Sequence, residues 1–221
     1  MKKYFNRFIL FGIIFLVLFN ILTVLLAFVD KQTVGINEVG LATINQFFLV
    51  KKYNKMWDVL TDVILYVSAG FVFGMGIYGL KQVVERKSLF KVDKDILAFG
   101  VGIGIILIVW VVFDFLWVVN VRPIDVSGTE ASFPSTHIMF STFTLLESCA
   151  IITKRNSKNK KYCFAGYVGI STLLCISFIG RILSKMHWMT DALGGLFLGL
   201  AMFLLVYGIS KFFAEKNVCK A

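Results

Sequence analysis

Long apolar runs separated by short polar and basic segments dominate the chain. Six such runs cover about residues 8–29, 59–80, 96–119, 138–153, 162–180 and 188–210. An α-helix rises about 1.5 Å per residue, so a run of roughly 20 crosses a hydrocarbon core near 30 Å thick. Each run therefore predicts a membrane-spanning helix, and together they predict an all-α polytopic membrane bundle of about six transmembrane helices. The fourth run is short, so its helix is expected to begin inside Pro134-Ser135-Thr136-His137 or to run on towards Lys154. Between the first two runs, residues 30–58 carry Ile36, Val39, Leu41, Ile44, Phe47 and Phe48 at an irregular but helix-compatible spacing. This predicts a short interfacial helix in an outer segment. Lys51, Lys52 and Lys55 beside it read as a solvated or interfacial face, with attraction of an anionic substrate as the alternative. No internal repeat is visible, and one membrane domain over residues 1–221 is expected.

The distribution of Lys and Arg orients the bundle. Sixteen of them fall at the N-terminus, at the C-terminus and in the loops after the second and fourth runs, against seven on the other side. Cytoplasmic loops carry the excess of basic residues, so both termini are expected to be cytoplasmic. The first run follows a basic start at residues 1–7 and resembles a signal peptide, but its 22 residues exceed the usual 7 to 15 or so. It reads as a retained anchor.

Composition removes other classes. At 58% hydrophobic and 16% charged residues, with a mean hydropathy of +0.81, the chain is more apolar than an ordinary soluble domain, at about half. The net charge of +10 would point to nucleic acid in a soluble protein. Here its partners are the anionic headgroups of membrane lipids. The small size and lack of additional domains fit a bacterial plasma membrane. Cys149, Cys163, Cys175 and Cys219 lie in or next to spans or in the C-terminal tail; they form neither a disulfide framework nor a metal-ligand spacing and read as free thiols.

Candidate chemistry gathers at the ends of spans on the less basic face. The only two histidines, His137 and His187, each stand where a polar segment meets an apolar run, and both prolines, Pro123 and Pro134, lie in the segment leading to His137. Asp191 follows His187 by four residues, which on a helix puts both on one face. A carboxylate there accepts the Nδ1 proton, fixes the tautomer and leaves Nε2 as a nucleophile. Ser135 suits the N-cap of the fourth helix, whose first amides, with Thr136 and His137 in the opening turn, would form an anion site. Arg122 and Arg181 offer planar donor forks matched to phosphate oxygens. Taken singly, each is an ordinary interfacial residue or helix start; their conjunction on one face is the signal. Asp62, Asp114 and Glu147 sit deeper than their neighbours, and a charge at such depth should face the bundle interior or be protonated.

Arg122-Pro123, Pro134-Ser135-Thr136-His137, and Gly180-Arg181 followed by His187 and Asp191 resemble the three signature motifs of the type 2 phosphatidic acid phosphatase family. The vanadium haloperoxidases and soluble bacterial acid phosphatases are of the same superfamily. The resemblance covers roughly residues 58–210, with the motifs inside 122–191. It implies phosphoryl transfer without metal or other cofactor, from a lipid phosphate or an isoprenoid diphosphate such as undecaprenyl diphosphate, at the outer face of the membrane. His187 would form a phosphohistidine while Asp191 holds the ring, and His137 would serve as acid and then base. Arg122, Arg181, Ser135 and Thr136 would hold the phosphate. The pattern departs from the family at Phe115, where a lysine seven residues before the first-motif arginine is usual. Loss of that contact is expected to weaken activity, with Lys185 as a possible substitute. Two other readings stay open: a phosphate- or lipid-binding protein of little or no turnover, motivated by Phe115, and a transporter using Asp114 and Glu147.

Overall fold

The computed structural model of the chain describes residues 2–34, 37–124, 130–156 and 158–218. Ile36 and Cys219, named above, lie outside the described residues. In chain order, helix α1 (Lys2–Phe28) leads into a hairpin of two short strands, β1 (Gln32–Val34) and β2 (Asn37–Val39), and a short helix α2 (Ala42–Phe47). Helix α3 (Lys55–Arg86), a 3-10 turn (Leu89–Lys91) and helix α4 (Lys94–Val111) follow, and α4 ends in a π-helical turn (Val112–Leu116). The last three helices are α5 (Thr136–Arg155), α6 (Lys160–Leu183) and α7 (Met189–Val218). Six of these helices are long and apolar enough to cross a membrane, one for each apolar run. The protein is an integral membrane helical bundle.

Helix α5 starts inside the Pro-Ser-Thr-His segment and also runs on past Lys154, so the shortest apolar run makes a full-length span. It is short in sequence because it is central in space. Two thirds of its most apolar window is buried, 67%, against 11% for α6. A helix shielded by protein needs less apolar surface than one facing lipid, which lets α5 carry Ser141, Thr142, Thr144, Glu147 and Ser148 in its buried face. Ser141 Oγ lies 3.0 Å from Ser68 Oγ of α3, and Phe143 stacks on Phe99 of α4 at 5.8 Å between centroids. Helix α1 packs along α7, with Gly12 against Leu205 and Gly208 against Phe8 and Ile9.

Between α1 and α3 the structure adds a strand pair to the short helix expected from the sequence. Helix α2 is present, but a hairpin precedes it, pairing Gln32 with Val39 and Val34 with Asn37. Asp30 locks this unit by accepting from the Thr43 amide at 2.8 Å and from Gln32 Nε2 at 2.6 Å. Val39 and Ala42 pack on Trp188, the residue just before α7, so the segment caps that end of the bundle rather than lying loose on it. At the opposite end, Arg86, Asp93, Asp95, Lys154 and Arg155 form a network of ion pairs that ties α3, α4 and α5 together.

Candidate active site

His187 lies in the turn between α6 and α7, with 4% of its surface exposed. Its backbone amide donates to the Arg181 carbonyl at 3.3 Å, so the turn folds back and sets the histidine over the end of α6. The expected direct bond from Nδ1 to Asp191 is not formed: the two atoms are 3.9 Å apart. The reason is local. His187 precedes the helix, whose first residue is Met189, so the pair does not have the four-residue stacking of a continuous helix. Asp191 instead occupies the third helical position and accepts the amide of Trp188, the residue before the helix, at 3.0 Å, the back-reaching half of a capping box. Its other partners are Asn120 Nδ2 at 3.1 Å and the hydroxyl of Ser132, in close contact.

Ser132 is thus the intermediary between histidine and aspartate. His187 Nδ1 stands 3.0 Å from the Ser132 carbonyl and 3.2 Å from its hydroxyl. A ring that donates from Nδ1 keeps its lone pair on Nε2, and His187 Nε2 is buried with no hydrogen-bond partner. Burial pushes the pKa of His187 well below the ordinary value, and the positive charges of Arg181 and Arg122 push it the same way. The ring is therefore neutral, the state required of a nitrogen nucleophile.

His137 and Ser135 are presented by the start of α5, which is pinned to α7. The Ser135 amide donates to the Asp191 carbonyl at 3.0 Å, and Gly195 and Gly199 let the two helices meet almost backbone to backbone. A Cβ at Gly195 would strike the Ser135 carbonyl, and one at Gly199 would strike Thr142 and the Met139 carbonyl. Ser135 is the N-cap residue as expected, but its hydroxyl makes no cap bond. Ser135 Oγ is instead buried without a partner. The Met139 amide is the first to bond back, to the Ser135 carbonyl at 2.9 Å. The amides of Thr136, His137 and Ile138 are those a helix start leaves over, which suits Thr136 to an anion.

Arg181 is 1% exposed. Its Nη1 reaches three residues of α3: Asp58 at 2.8 Å, Thr61 at 3.2 Å and Asp62 at 3.5 Å. Its Nε is buried without a partner. Asp62 also stands 2.9 Å from His137 Nε2. Arg122 is held on the ribbon where residues 120–122 run antiparallel to 130–132: its Nε donates to the Ala131 carbonyl at 3.3 Å and its Nη1 pairs with Glu130 at 3.3 Å. Trp188 Nε1 donates to the Val121 carbonyl at 2.7 Å, tying that ribbon to the turn that carries His187.

The remaining expectations divide. Phe115 is 67% exposed and packs edge-on against Trp110; the π-helical turn turns this position outward, so a lysine there would face the surroundings of the bundle. Lys185 does not take its place, because its Nζ reaches the Lys51 carbonyl at 3.4 Å. Asp62 belongs to the site, Asp114 lies half-buried in the π-helical turn, and both carboxyl oxygens of Glu147 are buried without a partner inside α5. Cys149, Cys163 and Cys175 are free thiols.

Asp58, Thr61, Ser132, Asn120 and Asn45 also belong to the site or its supports and are not among the residues expected from the sequence. Asp58, Thr61 and Asp62 had a signal, a polar stripe at i, i+3 and i+4 opening an apolar helix. Asn120 and Ser132 had none beyond lying in the segments flanking Arg122 and Pro134. Asn120 accepts from the Gly40 amide at 3.1 Å, and Asn45 accepts from the Thr190 amide at 3.2 Å. These two buried side chains join the hairpin unit to the start of α7.

The family model for the PAP2 superfamily matches residues 109–214. The fold is similar to the crystal structure of a transmembrane PAP2-type phosphatidylglycerolphosphate phosphatase from Bacillus subtilis, with a TM-score of 0.66 at 21% identity, covering 91% of this chain and 96% of that one. At that identity the likeness is one of fold. Among curated protein sequences none matches the chain.

Proposed function

The chain belongs to the PAP2 superfamily through residues 109–214, and on that premise we propose that it is a membrane phosphatase acting on a lipid phosphate or isoprenoid diphosphate at the outer face. The observation that carries this reading is that three of the site residues each keep a buried polar atom without a partner: His187 Nε2, Ser135 Oγ and Arg181 Nε. Buried polar atoms are rarely left unpaired, and each one in a site calls for an explanation. A phosphoryl group answers it chemically. Arg181 and the Ser135 hydroxyl donate to its oxygens, and the nitrogen lone pair of His187 faces phosphorus.

In this reading His187 Nε2 attacks phosphorus, and the imidazole carries the phosphoryl group as a phosphohistidine. Positive charge that develops on the ring is held through the Nδ1 proton on the Ser132 carbonyl, with Asp191 behind the Ser132 hydroxyl. His137 protonates the leaving oxygen and then takes a proton from the water that releases phosphate. Arg122, Arg181, Ser135 and the first amides of α5, including that of Thr136, stabilise the equatorial oxygens. All of these steps run on side chains and backbone groups of the protein and on water, with no metal or cofactor. Because these groups sit at the ends of spans, a phosphate on an apolar tail reaches them while its tail stays among lipids. The other readings rank below this one. Arg181 is already paired with Asp58 and Asp62, and this favours a pocket that binds phosphate with low turnover as the second.

The test is release of inorganic phosphate by the purified protein from phosphatidate, phosphatidylglycerol phosphate and undecaprenyl diphosphate in the presence of a chelator. Turnover is expected, vanadate should inhibit it, and His187→Ala should abolish it. Since the pKa of His187 is lowered, the acid limb of kcat/KM should lie below the usual imidazole value of about 6.5. Undiminished release by His187→Ala would refute the mechanism, and vanadate binding without turnover would favour the second reading.

A further inference from the structure

We propose that Asp62 is a positioning residue for His137, fixing the ring by its Nε2 and favouring its charged form, so that Nδ1 is the atom that delivers the proton. This rests on the phosphatase reading above. Asp62 stands on α3, outside the three sequence motifs, and its Oδ1 is nearer to His137 Nε2, at 2.9 Å, than to Arg181 Nη1, at 3.5 Å. Asp58, one turn earlier, already holds Arg181 at 2.8 Å. The second carboxylate is therefore redundant for the arginine and is the nearest partner of the histidine. A carboxylate at the edge of a span is costly to keep there without a function or a firm partner.

The charged groups that face His137 come from every side of the site. Arg181 comes from α6, Arg122 from the ribbon before α5, His187 from the turn before α7, and Asp62 from α3. Three of these four are cations or become so, and an imidazolium among them needs a negative neighbour. Asp62 is the one that touches the ring. With Nε2–H donated to Asp62, the neutral ring keeps its lone pair on Nδ1, and the charged ring has its transferable proton there.

Each proton that leaves His137 returns to it over the cycle. As the bond from phosphorus to His187 Nε2 forms, the bond from phosphorus to the leaving oxygen breaks, and that oxygen takes the proton of His137 Nδ1. His137 is then neutral with its remaining proton on Nε2, held by Asp62. In the second half a water gives a proton to Nδ1 while its oxygen bonds to phosphorus, the phosphorus–nitrogen bond breaks, and His137 is charged again.

Asp62→Asn tests this. The alkaline limb of the kcat profile should move to lower pH by about one unit or more, with KM little changed because Asp58 still holds Arg181. Asp62→Glu, which keeps the charge, should return the limb towards its original place. The chain has only two histidines, so isotope-labelled histidine in purified protein reports His137 directly, with His187→Asn giving the assignment. In Asp62→Asn the His137 titration should move in the same direction as the limb. A limb and a titration that both stay in place in the folded variant overturn the proposal, as does a loss of activity that is the same at every pH. Asp62→Ala serves the same comparison if the amide variant does not fold. The titration needs no turnover, so a parent protein that hydrolyses none of the lipids sinks the proposed function alone.

Discussion

Ser132 illustrates how much chemistry a single unremarked side chain carries. It has no charge and no motif spacing, yet its carbonyl and hydroxyl lie within 3.2 Å of His187 Nδ1, and its hydroxyl also donates to Asp191. Replacing it by alanine keeps the carbonyl but removes the hydroxyl that connects the ring to the carboxylate, leaving buried Asp191 short of one donor. A hydrogen bond to a charged group contributes about 1.5–3 kcal/mol, so Ser132→Ala should lower kcat about ten- to a hundredfold, with KM little affected. Steady-state phosphate release measures it, and an unchanged kcat would mean that Asp191 acts on His187 without the serine. Phe115 teaches the converse. The missing lysine is conspicuous in sequence, but its position is exposed and packed against Trp110, so the gap in the motif is no measure of the pocket's charge.

At the scale of elements, the site depends on how closely α5 and α7 approach. Helix α5 brings Ser135, Thr136 and His137, and the start of α7 brings Asp191; the two are joined by a backbone hydrogen bond from Ser135 to Asp191 and by the close contacts at Gly195 and Gly199. Small residues four apart are the usual means by which membrane helices meet at short range. Gly195→Ala drives a methyl group into the Ser135 carbonyl, and overpacking of this kind costs about 1–3 kcal/mol. The variant should unfold at lower temperature in detergent and lose phosphatase activity by displacing the start of α5. Gly70→Ala on α3, where an added Cβ meets nothing within 4 Å, is the control and should change neither. Equal melting temperatures for the parent and Gly195→Ala would show that the two helices have room to spare.

For the whole molecule, the two ends of the bundle differ in kind. One end holds both histidines, Asp191, Arg122 and Arg181 under the hairpin cap, and the other holds the ion pairs of Arg86, Asp93, Asp95, Lys154 and Arg155. The basic loops gather at the second end, which the positive-inside rule assigns to the cytoplasm. In a protein whose native cysteines have been replaced, Lys52→Cys should react with a membrane-impermeant maleimide in intact cells, whereas Lys158→Cys should react only after lysis. The reverse pattern would turn the molecule over and move the proposed chemistry to the cytoplasmic leaflet.

The sequence by itself determined the spans, because lipid demands about 20 apolar residues per crossing, and that demand is local and additive along the chain. It also marked His137, His187, Asp191, Arg122, Arg181, Ser135 and Thr136 as candidates, since polar and titratable side chains at the ends of apolar runs stand out against them. Tertiary structure alone decided which groups touch. Ser132 rather than Asp191 meets His187, Asp62 reaches His137 from 75 positions away, and Val39 and Ala42 close over Trp188. Such pairings follow from the approach of helix ends and from the turn before α7. Contacts of this kind are set by packing between segments distant in the chain, and no local pattern of apolar and polar residues encodes them.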